Sequence, residues 1–185
     1  MESFIHPSAV LAGNVSIGRG VYIGPNCLIG FPAEYKDGFP HDSEYGVEIL
    51  DGAKITGNVT IDAGTKQNTV IGEYSFLMKG VHIGHDVYVG NDVTISPHVC
   101  IGGHVKIGDK SNFGMGCIIH PRQKIGAYAM IGMGAIVPKR LILKPGHIYV
   151  GNPAREIGIN SIGLERAGID MSKLDALIEE FLSEN

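Results

Sequence analysis

An aliphatic residue recurs every six positions along most of this chain. The longest run keeps that spacing from Ile71 to Val137, and shorter runs cover residues 5–29 and 49–61. A smaller residue usually follows each aliphatic four positions later, and glycine often comes directly after it. A period of six fits neither the 3.6-residue turn of a helix nor the two-residue repeat of a plain strand. The pattern therefore predicts a solenoid in which every hexad contributes a short strand and a turn.

The composition agrees with a thin and regular core. Glycine accounts for 27 of 185 residues, and the absence of a Gly-X-Y period excludes collagen. Hydrophobic residues make up 44% of the chain and aromatic residues only 7%. These fractions argue against disorder and predict a core of aliphatic side chains. We expect the glycines to provide turns of unusual φ or a close approach of two backbones.

Charge and hydropathy disfavour several classes of function. The net charge of −4 and the absence of a basic block argue against nucleic-acid binding. The longest apolar run, residues 130–137, holds two glycines and is far shorter than the ~20 residues of a membrane span. The N-terminus has neither the basic nor the apolar region of a signal peptide. Three cysteines without C-x-x-C spacing are typical of reduced thiols, so we expect a cytoplasmic protein.

The hexads resemble those of the hexapeptide-repeat family, whose coils form a left-handed parallel β-helix of triangular cross-section. That resemblance implies an all-β solenoid with three hexads per coil, and hence about six coils over residues 1–154. The polar residues 31–46 interrupt the repeat, and we expect a functional loop there. Residues 65–70 form a second, shorter break.

The period is expected to end at Val137, with residues 138–153 as a final irregular coil. Residues 155–185 are expected to form a short C-terminal α-helical segment, with Ser172 as the N-cap of its helix. An apolar stripe at helical spacing predicts packing of this helix against the end of the solenoid; it comprises Leu174, Leu177, Ile178 and Phe181.

Five of the eight histidines lie between His82 and His120. With about 18 residues per coil, His85, His104 and His120 would line one outer edge of the solenoid, with His82 nearby. Such a row could bind zinc, but the ligand pattern of the zinc enzymes with this fold is missing, so no metal is expected. Histidine also suits general base catalysis near neutral pH. Since no nucleophile motif such as G-x-S-x-G occurs, the edge favours direct attack of an acceptor on a thioester.

The segment from Leu77 to Asn91, LMKGVHIGHDVYVGN, resembles the motif L-M-x-x-x-H-I-x-H-D-x-x-V-G-N of the UDP-N-acetylglucosamine O-acyltransferases of lipid A biosynthesis. Residues 151–154 (GNPA) and 158–168 resemble the tail signature of that family, G-N-x-A followed by G-x-N-x-x-G-L-x-R-R-G. The chain is shorter than typical members of that family. We therefore expect it to lack some coils and most of the C-terminal helical domain.

The resemblance implies a role for each matching residue. His85 corresponds to the general base, Asp86 to its supporting carboxylate, and the backbone N–H of Gly103 to the oxyanion donor. Met133 falls where the family sets acyl-chain length, which predicts a short or medium acyl group. The implied substrate-binding positions are Lys36, Asp62, His82, His104, His120, Asn160 and Arg166, with Asp62 standing where the family has a histidine.

The implied reaction moves an acyl group from acyl carrier protein to a hydroxyl or amine of a UDP-linked amino sugar. It needs no cofactor besides the thioester co-substrate, and the family implies a homotrimer with its sites between subunits. Two alternatives stay open. The first is a CoA-dependent acetyltransferase of a nucleotide sugar, because residues 151–155 also resemble the tail motif of that group. The second is a non-catalytic solenoid binding module. Lys139, Arg140 and Lys144 are available for the phosphates of either donor.

Overall fold

The computed structural model describes residues 2–34, 36 and 44–183, so half of the loop predicted at 31–46 lies outside the described residues. The described chain winds into a left-handed parallel β-helix with a short helical segment at its C-terminal end, as predicted. Neither helix of this part of the chain is long and apolar enough to cross a membrane.

Short strands follow one another along the solenoid, and two helices follow the last strand. The strands are β1 Phe4–Ile5, β2 Val10–Leu11, β3 Val15–Ile17, β4 Tyr22–Ile23, β5 Leu28–Phe31, β6 Val47–Ile49, β7 Lys54–Ile55, β8 Thr60–Asp62, β9 Thr69–Ile71, β10 Phe76–Leu77, β11 His82–Ile83, β12 Tyr88–Val89, β13 Thr94–Ile95, β14 Cys100–Ile101, β15 Lys106–Ile107, β16 Asn112–Phe113, β17 Ile118–Ile119, β18 Lys124–Ile125, β19 Met130–Ile131, β20 Ile136–Val137, β21 His147–Val150 and β22 Arg155–Ile159. The helices are α1 Ser161–Arg166 and α2 Met171–Ser183.

The strands form three sheets, one on each face of the solenoid. From β1 to β20, strands that are three apart in the chain pair in parallel within one sheet. The register joins residues 18 apart along the uninterrupted repeat, as when Phe76 pairs with Thr94 and His82 pairs with Cys100. Because of this register, each turn stacks on the turn of the coil before it. The first sheet ends in an antiparallel pairing of β21 with β22.

The aliphatic residue of each hexad points into the core, and Ile83 for example has no exposed surface. The prediction that the period ends at Val137 is wrong. Leu143 and Tyr149 continue the spacing of six and are fully buried. The whole solenoid has about eight coils rather than six. These last positions were hidden in the sequence because no glycine follows them, and because Leu143 makes only an isolated bridge to Ile125.

The glycine after each aliphatic serves the close packing of coils. A Cβ atom on Gly72 would lie 2.2 Å from the carbonyl oxygen of Gly90 in the next coil, a distance that no side chain tolerates. The left-handed backbone occurs two positions further on, and mostly at residues other than glycine, such as Asp86 and His104 with φ of 59°. The expected close approach is therefore confirmed at these glycines, whereas the expected unusual φ belongs to a different turn position.

The C-terminal segment begins with β22 and continues with the two helices. Leu174 and Phe181 of α2 are buried, in agreement with the predicted apolar stripe. The start of this helix differs from the prediction. The Asp170 carboxylate accepts a hydrogen bond from the N–H of Lys173 at 2.9 Å, so Asp170 rather than Ser172 caps α2.

The two kinds of glycine should respond differently to alanine. Gly72→Ala drives a Cβ into the backbone of the next coil, and we expect a loss of about 3 kcal/mol in the free energy of unfolding. Gly116 has φ of 66° and no atom within 4 Å of an added Cβ, so Gly116→Ala should cost only about 1 kcal/mol of backbone strain. Denaturant unfolding of both variants measures the difference. Equal losses would contradict the close-packing role.

Candidate active site

The turns that join the second sheet to the third stack into one corner of the solenoid, which we call the histidine corner. His85 and Asp86 occupy one turn, between β11 and β12, and Gly103 and His104 occupy the equivalent turn one coil further on. The backbone holds the two turns together, because the N–H of His104 donates to the carbonyl of His85 at 2.9 Å. Stacked turns therefore bring these four residues into one cluster.

The break in the repeat at residues 65–70 folds over the Asp86 carboxylate. Its Oδ1 accepts backbone N–H bonds from Thr65 (2.9 Å), Lys66 (2.7 Å) and Gln67 (3.0 Å). Its Oδ2 accepts the hydroxyl of Thr65 at 2.7 Å. The break is visible in the sequence, but the residue types in it predict no role. The signal was the ten-residue interval between Ile61 and Ile71, one coil before Asp86.

These bonds keep Asp86 ionised although its side chain is fully buried. Burial disfavours the charged form, but hydrogen bonds from His85, Thr65 and Lys66 outweigh it and hold the pKa of Asp86 far below its usual value. The same Oδ2 lies 2.6 Å from Nδ1 of His85. Since an ionised carboxylate only accepts, Nδ1 carries the proton, and Nε2 of neutral His85 is left with its lone pair.

His104 completes the cluster on the other side of the carboxylate. Its ring packs edge-on against His85 with 4.8 Å between ring centroids, and its Nδ1 lies 3.6 Å from Oδ2 of Asp86. Burial lowers the pKa of His104; the attraction of Asp86 opposes this shift, while the positive charges of Arg122 and Lys66 add to it. His104 is therefore neutral at pH 7, and it faces Asp86 as well as His85.

Gly103 lies directly against the Nε2 side of the His85 ring. A Cβ atom on Gly103 would be 2.7 Å from Nε2 of His85, so only glycine lets the ring take this position. Among the hydrogen bonds of the described chain, none uses the N–H of Gly103. A reacting oxygen beside Nε2 would thus meet a backbone donor and a basic nitrogen together.

A cleft of about 640 Å³ opens beside the cluster, on the outer face of the second sheet. His82 lies in this cleft, where its Nδ1 is 2.8 Å from the hydroxyl of Thr60 and its Nε2 is 4.0 Å from Oδ2 of Asp62. Burial raises the pKa of Asp62, against the attraction of His82 and His85. Among the described residues, apolar and acidic side chains also line the cleft: Leu28, Phe31, Pro32 and Glu34.

The ligand atoms of His85, Asp86 and His104 lie within 4.8 Å of one another, as in a metal site. The shared Oδ2 of Asp86 is bonded to His85 and to Thr65, however, and Oδ1 accepts three N–H groups. A metal ion would have to break the 2.6 Å bond that fixes the His85 ring. The donor set therefore fits a hydrogen-bonded base better than a metal centre.

His120 and Lys36, two further predicted site residues, do not contact the cluster of the same chain among the described residues. His120 is at the same corner, one coil beyond Gly102, and its Nδ1 donates to the carbonyl of Pro121 at 2.9 Å. No hydrogen bond or ring contact joins it to His85 or His104 within the described residues. Lys36 is exposed, in the described part of the predicted loop.

The remaining predicted residues lie near the C-terminal end. Asn160 caps α1 by accepting the N–H of Gly163 at 3.2 Å, and it donates to the carbonyl of Tyr128 at 3.0 Å. Arg166 is exposed at the end of that helix. Met133 is 71% exposed in the turn between β19 and β20, at a different corner from His85.

The family described as bacterial transferase hexapeptide (six repeats) matches residues 2–30 and 68–103. An acyl-[acyl-carrier-protein]–UDP-N-acetylglucosamine O-acyltransferase of Vibrio atlanticus is 35% identical, over 94% of this chain and 79% of its own length. The enzyme of that name from Rhizobium rhizogenes is 34% identical, over 88% of this chain. The chain spans 60% of the length of that relative and 61% of the one from Agrobacterium fabrum.

Solved structures give the same result. The UDP-N-acetylglucosamine acyltransferase of Bacteroides fragilis 9343 superposes with a TM-score of 0.74 at 28% identity, covering 96% of this chain and 80% of that one. Another structure described as a UDP-N-acetylglucosamine acyltransferase reaches a TM-score of 0.86 at 26% identity, covering 96% and 68%. By these similarities in sequence and fold, the chain belongs to the UDP-N-acetylglucosamine O-acyltransferase family.

Proposed function

We propose that this chain transfers an acyl group from the thioester of acyl carrier protein to a hydroxyl or amine of a UDP-linked amino sugar. The observation that carries the proposal is the cluster of His85, Asp86 and Gly103, in which a buried carboxylate fixes a histidine whose Nε2 lies against Gly103. The names of the relatives supply the class of donor and acceptor. Thioester transfer needs a base, an oxyanion donor and positioning, and no further cofactor.

The proposed reaction runs by direct attack. Nε2 of His85 takes the proton of the acceptor group, whose oxygen or nitrogen forms a bond to the thioester carbon. The N–H of Gly103 donates to the oxyanion, and the nearby carboxylate of Asp86 stabilises the imidazolium. When the intermediate collapses, the carbon–sulfur bond breaks, and the departing thiolate receives the proton from Nε2. The product is an acylated sugar, and His85 returns to its neutral form.

The cleft beside His82 suits the sugar of the acceptor. Thr60 and His82 offer hydrogen bonds to hydroxyl or amide groups, while the acidic side chains of Asp62 and Glu34 disfavour the diphosphate. Asn160 and Arg166, assigned to the nucleotide, lie several coils away. We propose that they and Met133 reach a His85 site of a neighbouring copy, as in the homotrimer that the family implies.

A pairing experiment tests the proposed function as a whole. UDP-N-acetylglucosamine and other UDP-amino sugars are mixed with acetyl-CoA or with acyl carrier proteins of several chain lengths, and products are identified by mass. Transfer from acyl carrier protein supports the proposal. Transfer from acetyl-CoA alone would favour the nucleotide-sugar acetyltransferase, and no transfer in any pairing would favour a binding module.

Replacing the base should abolish turnover. His85→Ala removes the nitrogen that accepts the proton, and we expect kcat to fall by about a thousandfold while the fold and oligomeric state are kept. His98→Asn is the matched control, because His98 is an exposed histidine in a turn at another corner. Steady-state kinetics and size-exclusion chromatography measure the two effects. Near-normal transfer by His85→Ala would rule out the proposed mechanism.

Asp86→Asn should lower both activity and stability, because the loop at residues 65–67 is built around a charged carboxylate. The folded state lowers the pKa of Asp86, so the charge stabilises the fold above the unfolded pKa near ~3.9, and this contribution is lost as pH falls toward the folded pKa. The wild type should therefore exceed Asp86→Asn in unfolding free energy at pH 7, and the gap should shrink below about pH 4. A gap that does not change with pH would contradict this role.

Met133 tests the proposed control of acyl-chain length. If its side chain closes the end of the acyl groove, Met133→Gly should raise kcat/KM for longer acyl groups relative to shorter ones. Met133→Leu keeps a similar volume and should keep the preference of the wild type. Competition between acyl carrier proteins of mixed chain length, read by mass, measures the shift. An unchanged preference in Met133→Gly would remove Met133 from the acyl site.

A further inference from the structure

A second cleft lies further along the histidine corner, toward the C-terminal end, with a volume of about 260 Å³. Four cationic side chains line it, namely Arg122, Lys124, Lys139 and Arg140. Among residues 2–34, 36 and 44–183, no carboxylate lines it, although the chain as a whole has a net charge of −4. The other described lining residues are the polar Gln123 and four apolar residues, namely Pro121, Leu141, Ile142 and Phe181.

Three of the cations have no acidic partner among residues 2–34, 36 and 44–183. Arg122, Lys139 and Arg140 form no ion pair there. Lys144 differs, because its Nζ pairs with the Glu156 carboxylate at 3.0 Å, outside this cleft. Unpaired cations that line one cleft repel one another, and an anion relieves that repulsion.

Arg122 and Arg140 occupy the left-handed turn position of the histidine corner, two and three coils after Asp86, with φ of 65° and 68°.

We propose that this cleft binds the phosphate of the phosphopantetheine arm that carries the acyl thioester. The inference rests on the proposed acyl transfer and adds the place where the donor is held. Guanidinium groups are well suited to phosphate, and the two methyl groups beside the phosphate of this arm match the apolar walls. Coenzyme A and acyl carrier protein share the arm, so the proposal covers both sources.

The spacing of the corner fits the length of the arm. Neighbouring coils are about 4.8 Å apart, so Arg122 and Arg140 lie roughly 10 Å and 14 Å from the turn that holds Asp86. The arm between sulfur and phosphorus has the length of four to five extended residues, about 15 Å. With the phosphate between the two arginines, the thioester carbon reaches His85 along the same corner.

The test removes both guanidinium groups without disturbing the turn. Asparagine tolerates the left-handed conformation, so we choose the double variant Arg122→Asn/Arg140→Asn. Lys110→Asn is the matched control, since Lys110 is an exposed cation with φ of 56° at another corner. The donors are S-acyl-phosphopantetheine and S-acyl-pantetheine, which carry the same thioester and differ only in the phosphate.

We expect the double variant to lose roughly 10- to 100-fold in kcat/KM with the phosphorylated donor, as for the loss of charged hydrogen bonds, and nothing with the unphosphorylated one. Lys110→Asn should match the wild type with both. Acyl-CoA and acyl carrier protein are run as further arms, and the source is the donor with the higher kcat/KM in the wild type, provided that this kcat/KM falls in the double variant. Equal losses with both pantetheine donors, or no loss with either, would overturn the proposal.

Calorimetric binding of phosphopantetheine and of pantetheine separates this proposal from the proposed function. One outcome is that no acceptor is acylated but phosphopantetheine binds, and this binding is lost in the double variant. That outcome supports the proposed phosphate site and contradicts the proposed acyl transfer. If transfer proceeds and the phosphate changes neither binding nor kcat/KM, the cleft fails and the acyl transfer stands.

Discussion

The hydrogen-bonded ladder between successive coils is the constraint on which the rest of the molecule depends. Along the uninterrupted repeat, each strand residue pairs with the residue 18 positions further on in the next coil. Every turn therefore lies on the turn of the coil before it. The backbone bond from His104 to His85 and the one from Arg122 to Gly103, each 2.9 Å, continue this ladder through the histidine corner. A corner is therefore a column of side chains at fixed spacing, and chemistry needs only the right residue types in that column.

The buried carboxylate of Asp86 depends on a departure from the regular repeat. A fully buried carboxylate loses its hydration and is stable only if polar groups replace the lost water. In a strict run of hexads, most backbone N–H groups of the strands are used in the ladder. The extra residues around Thr65 leave the ladder, and three of their N–H groups and one hydroxyl bind Asp86. The irregular loop thus supplies what the regular fold lacks.

The sequence was sufficient for the strands, the core and the corner, because all three follow from the period of six. The sequence predicts that His85 and His104, which are 19 residues apart, lie close together. The structural register of 18 residues per coil instead stacks His104 directly on Asp86, a contact that was not predicted from the sequence. The role of residues 65–67 could not be predicted either, because they bind Asp86 mainly through backbone N–H groups, which do not depend on the residue type. Leu143 and Tyr149 were missed because the glycine signal stops before the coils do.

The charges along the corner also give the two neighbouring histidines, His85 and His104, different electrostatic surroundings. His85 has the shorter contact to Asp86, at 2.6 Å, so a proton on its ring is held beside a carboxylate. His104 is further from Asp86, at 3.6 Å, and its ring is exposed to the positive charges of Arg122 and Lys66, which with burial lower its pKa. A second imidazolium in this cluster would face both His85 and these cations. The corner therefore disfavours a protonated His104, and the shorter contact leaves the Asp86 carboxylate to His85.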